Sequence, residues 1–132
     1  MYHKQSASAR IVFFALNGSV CHFDGLPPDA KIVSRIEDVD AACFDYPQTL
    51  IPSSQERLGL SNNILEIEKP FRAIALSAAL TFNIYLARFT TVDPPQEPLA
   101  NLNGKFMTLL EARSLPTVEI ELLGLAYSFL MD

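Results

Sequence analysis

Four residues carry functional groups where they could act together: His22, Asp24, Asn83 and Tyr85. If "SVCHFDG" is extended, His22 and Asp24 point to the same face, and a carboxylate beside an imidazole can orient it as a general base or raise its pKa. The same stretch also reads as a histidine at a hairpin end, followed by a turn-forming Asp before Gly25. Asn83 and Tyr85 stand at alternate positions of the most apolar run, "AIALSAALTFNIYLARF" (73–89), in phase with Ala73, Ala75, Ser77 and Ala79. Small side chains leave room, and room beside an amide and a phenol suits a ligand. The competing reading is a face packed closely against a helix or a second subunit.

Other chemistry finds less support. Cys21 and His22 are adjacent, so in a strand they point to opposite faces and do not form a nucleophile and base pair. A four-ligand zinc site built from Cys21, Cys43 and His22 would need carboxylates at no recognisable spacing. His3 lies in a terminus expected to fray. Glu66 with Glu68, and Glu119 with Glu121, place acids on shared strand faces where they could bind a cation or divide into acid and base, but such alternation more often marks a solvated sheet face. The chain has no glycine-rich phosphate loop, no GxSxG and no HExxH. No metal or cofactor is therefore expected.

The totals narrow the class. A chain of 132 residues is the size of one domain, 1–132, with 49% apolar residues and only 19% charged, which excludes disorder and leaves few charges to cover the surface. The net charge is −5 and the ten basic residues are scattered, so neither nucleic acid nor an anionic membrane surface is an expected partner. Two cysteines in a domain this large point to reduced thiols and a cytoplasmic protein. "IVFFAL" after Lys4 and Arg10 is too short for the apolar core of a secretory signal. Between Arg72 and Arg88 there are only 15 positions, interrupted by Ser77, Thr81 and Asn83, too few for a spanning helix.

The elements that would position the four residues follow from periodicity. Residues 72–92 alternate large side chains (Ile74, Leu76, Leu80, Phe82, Ile84) with small or polar ones, the pattern of a half-buried strand, although five alanines favour helix. One strand that long would extend about 65 Å, so it must bend, or break near Ser77 to Ala79. Residues 117–131 repeat the alternation with a phase slip beside Gly124, the appearance of a β-bulge; the alternative is a helix starting at Leu115 and Pro116. Asn17-Gly18 between apolar runs predicts a type I′ hairpin of Arg10–Leu16 with Ser19–Phe23. Asp29 can cap a helix over about 30–43, with Ile32, Ile36, Val39 and Cys43 on one face. Residues 45–63 form a loop holding a capping-box turn from Ser53 to Glu56 that Gly59 ends; "ILEIEK" is a short strand, and "KFMTLLEAR" after the proline-rich excursion 92–104 is another strand, with a short helix as the alternative.

The expected fold is α+β: a strongly curved antiparallel sheet, approaching an open barrel, with one main covering helix. The alternative is a mainly helical bundle in which 71–89 and 115–131 are helices. The first functional expectation is a non-catalytic binding or interaction module acting as a homodimer or higher homo-oligomer, because charges are few and the C-terminal segment is apolar. The second is a small-molecule-binding protein or small enzyme that uses the curved sheet as a cup, with His22, Asp24, Asn83 and Tyr85 lining it.

Overall fold

The computed structural model describes residues 1–5, 10–21, 25–36, 47–78, 80–95, 99 and 102–131. Within them the chain is α+β, with two open sheets rather than one. Strand β2 (Ile11–Leu16) is "IVFFAL", and all six of its residues are buried. A continuous apolar run suits a strand covered on both faces, and both of its edges are also paired. Antiparallel β1 (Tyr2–Lys4) lies on one side and antiparallel β8 (Gly104–Met107) on the other. Beyond β1 come β7 (Ala87–Phe89), which meets β1 in parallel, and β4 (Leu65–Ile67), giving the order β4-β7-β1-β2-β8. The sheet is therefore mixed, not purely antiparallel.

The second sheet has the order β3-β5-β6, from Lys31–Ile36, Arg72–Ser77 and Leu80–Ile84. The long apolar run breaks where expected: β5 and β6 form a hairpin whose turn begins at Ala78 (φ 48°), with Ser77 opposite Leu80. Two residues later the chain passes into the other sheet as β7, so no extended strand of 65 Å is needed. The hairpin also switches parity. Because Ser77 pairs with Leu80, even-numbered residues of β6 share a face with odd-numbered residues of β5, and Asn83 stands opposite Ile74 instead of beside the alanines. Ala73 and Ala75 are fully buried, while Leu76 on the opposite face is 42% exposed.

What packs on the small-residue side is the C-terminal segment. Residues Thr117–Met131 form a helix, α2, not a bulged strand. Its buried residues, Val118, Glu119, Leu122, Leu123 and Ala126, follow a helical spacing, and Gly124 has open space where a Cβ would project. The alternation seen in the sequence arises because this helix is apolar on more than one side, where period two and period 3.6 overlap. Conversely, the expected helix over 30–43 is strand β3 in its described part. A bulge between Ile32 and Ser34 breaks the two-residue alternation there and leaves a spacing that resembles a helix. Cys43 lies outside the described residues. The covering helix is thus C-terminal.

Two apolar clusters result. Tyr2, Ile11, Phe13, Ala73, Leu122 and Leu123 belong to one, on the side of β2 facing α2. On the other side Phe14, Leu58, Leu65, Phe89 and Leu99 pack beneath α1 (Leu50–Arg57), a helix longer than the single turn expected at Ser53. Gly59, at φ 67°, ends α1: its N–H bonds to the Glu56 carbonyl and the Leu60 N–H to the Gln55 carbonyl, a Schellman closure. The Asn17-Gly18 turn has both residues at positive φ, as a type I′ turn requires, yet among the described residues the returning arm makes a single bridge, at Ser19, because β1 and β8 already occupy the edges of β2.

Gly104 sits opposite Leu16, and a Cβ there would lie 2.5 Å from the buried Phe14 ring. Replacing Gly104 with Ala is expected to cost about 1–3 kcal/mol by overpacking, read from the urea midpoint. An unchanged midpoint would show that the ring has room to move.

Candidate functional site

A cavity of about 400 Å³ is bordered by residues of both sheets and of α1. One wall is the β6 hairpin arm: Phe82, Asn83, Ile84 and Tyr85 all border the space. Successive side chains of a strand point to opposite faces, so a cavity touching three in a row, and Tyr85 just past the strand, lies off the strand's edge. The opposite wall is α1, through Leu50, Ile51, Ser53, Ser54 and Arg57, and the floor includes Val20, Cys21, Ile67 and Ala87.

Each wall is held by specific bonds. Gln55 is buried and its Oε1 accepts from the N–H groups of Ile64 and Leu65, both at 3.1 Å, which fixes α1 to the start of β4. The floor is held by Glu119 in the first turn of α2. Only 2% exposed, its carboxylate accepts the Val20 N–H at 2.6 Å and lies 3.0 and 3.1 Å from the Ser19 hydroxyl, which in turn accepts the Cys21 N–H. The positive end of the helix macrodipole favours an anion there. Glu119 and Glu121 therefore do not form a pair on one strand face: the first is buried and the second exposed. Glu66 is exposed and lies 3.4 Å from Arg88, while Glu68 accepts the Tyr2 hydroxyl proton at 2.6 Å. Burial, and then the bond to Glu68, push the Tyr2 phenol well above the usual tyrosine range.

Asn83 and Tyr85 both border the cleft, from a strand edge instead of the shared small-residue face that the sequence suggested. Asn83 Oδ1 accepts from Arg72 at 2.7 Å. His22 and Asp24 lie outside the described residues. Their neighbours Cys21 and Gly25 both border the cleft and are joined by a Gly25 N–H bond to the Cys21 carbonyl at 2.9 Å. His3 does not fray: it is 1% exposed in β1, and its Nε2 donates to the Thr91 carbonyl at 2.8 Å. Sequence reasoning missed α1 as a wall. Pro47 and Pro52 read as loop, and the two available signals, the Ser53-to-Glu56 turn and Gly59 after "SSQERL", mark a helical turn and its end without showing that the helix starts earlier, at Leu50.

Cys21 is a free thiol that burial and the nearby Glu119 charge push up to about 12. It is the neutral thiol at ordinary pH, a poor nucleophile. No group of three or more His, Cys, Asp or Glu residues among the described residues could hold a metal ion, and no described helix is long and apolar enough to cross a membrane. In comparisons with known proteins, no family model and no curated protein matches the chain.

The thiol shift predicts an alkaline instability. With the folded pKa raised from 9.0 to about 12, the unfolded chain releases this proton first, so the contribution of Cys21 is complete below pH 9 and is lost as pH climbs toward 12. Tyr2 adds a term of the same sign. Urea midpoints measured at about pH 8 and about pH 10 should fall less in Cys21→Ala than in the wild type. Equal falls would mean that Cys21 ionises as freely in the folded protein as in the unfolded one.

Proposed function

We propose that the protein is a non-catalytic binding module, acting in the cytosol, that holds its ligand in the cleft between β6 and α1. The observation that carries this reading is the cleft itself: its volume of about 400 Å³ falls in the range of ligand pockets, and apolar walls from Leu50, Ile51 and Ile67 are joined by a few polar groups, among them Thr49, Ser53, Asn83 and Tyr85. Binding without chemistry fits Cys21, the one cysteine among the described residues, since it keeps its proton.

Ser53 is exposed on α1 and borders the cleft, so a Trp there fills the space without entering the core. Screening small amphiphilic fragments by ligand-observed NMR should find binders to the wild type that weaken at least about tenfold with Ser53→Trp. A library without binders, or binders indifferent to Ser53→Trp, would refute the cleft as the site.

Self-association is a second reading, favoured by the tip of the β5–β6 hairpin, where Leu76 and Leu80, on opposite faces, are 42% and 61% exposed. A homodimer would cover them. Sedimentation at micromolar concentration should show a dimer that Leu80→Glu converts to monomer, and a monomeric wild type would end this reading.

A further inference from the structure

We infer that the natural occupant of the cleft is an extended segment of another polypeptide, added to β6 as a fourth strand of the β3-β5-β6 sheet. The inference rests on the cleft being a binding site and names the ligand class. It begins from hairpin pairing. With Ser77 opposite Leu80 across a two-residue turn, the residues that exchange hydrogen bonds with β5 are Leu80, Phe82 and Ile84. The N–H and C=O groups of Thr81 and Asn83 therefore point off the edge, and Tyr85 continues the same phase one residue past the strand. Two of these, Asn83 and Tyr85, border the cleft. Main-chain donors and acceptors repeating every second residue are what an extended backbone recognises.

The composition of the edge agrees. Four strands are edges of the two sheets: β3, β4, β6 and β8. Three of them carry the charges that discourage pairing: Lys31 in β3, Glu66 in β4, Lys105 in β8. Strand β6, "LTFNI", carries neither charge nor proline and is the only edge among the described residues left unguarded. The opposite wall of α1 decides between occupants. Asn83 and Tyr85 border a cleft that α1 also lines, and a concave site admits a single extended segment more readily than the edge of a second folded copy, which would bring its own sheet and helix with it. Apolar contacts from Leu50 and Ile51 suit apolar side chains at alternate positions of the added strand.

The experiment replaces one backbone N–H. Asn83→Pro deletes the donor that faces the cleft, at an edge position where proline is tolerated, whereas Asn83→Ala removes the same side chain and its bond to Arg72 but keeps the donor. Short peptides are selected against the wild type from a displayed random library, and the best binder is also made with a single N-methyl group at each position in turn. The expected result is that Asn83→Pro binds it at least about tenfold more weakly than Asn83→Ala, which lacks the same side chain, with losses at alternate N-methyl positions. Equal binding by the two variants, or an N-methyl series without alternation, overturns the inference. If Asn83→Pro does not fold, the N-methyl series on the wild type decides alone. If no peptide is selected while fragments bind in a Ser53-dependent way, the strand-addition inference fails and the cleft reading stands; if neither binds, both fail.

Discussion

Strand β2 has no solvent-facing side chain, and a strand buried on both faces and paired on both edges must be enclosed on four sides. Beta1 and β8 supply the edges. The faces require two separate covers, because side chains alternate: Phe13 looks toward α2, while Phe14 looks toward α1 and meets Phe89 edge-on at 6.1 Å and Phe106 at 5.3 Å. The two clusters, the two helices and the second sheet can all be understood as the means of meeting this one requirement. Burial of that strand is worth roughly 1.5–3 kcal/mol for each large apolar side chain, so the layers that achieve it are strongly selected over open alternatives.

Enclosure on four sides has a geometric consequence. The second sheet leans over one face of β2 with its small residues inward, Ala73 and Ala75, so that α2 can approach closely. Beta6, the last strand of that sheet, borders the cleft together with Ile67 and Ala87 of the other sheet and with α1. Its backbone edge is unpaired because no further strand of the described chain reaches it.

The bond that holds this corner closed is Glu119. A buried carboxylate is costly unless its oxygens are satisfied, and here the Val20 N–H, the Ser19 hydroxyl and the start of α2 together meet that need. It joins residues a hundred positions apart, coupling the Asn17-Gly18 turn to the C-terminal helix and setting the floor of the cleft. The same carboxylate adds to the burial that keeps the Cys21 proton in place. One side chain thus organises a loop, a helix end and the chemistry of a thiol.

How much of this was legible in the sequence differs by element. "IVFFAL", the Asn17-Gly18 turn, "ILEIEK", the break near Ser77 and the α+β class are local facts: apolar continuity, positive φ and alternation act over a few residues, and short-range patterns record them. Asn83 and Tyr85 were visible as polar groups in an apolar run for the same reason. What the sequence left ambiguous was decided by partners distant in the chain. Residues 117–131 carry both periodicities and became helix because an alanine-lined sheet face offers a groove for a helix, while 31–36 became strand because β5 offered an edge. The face on which Asn83 lies depends on a two-residue turn that switches parity, and the burial of Glu119 on a loop a hundred residues away. Periodicity states what an element can bury; only the neighbour it packs against determines which of two compatible conformations is buried.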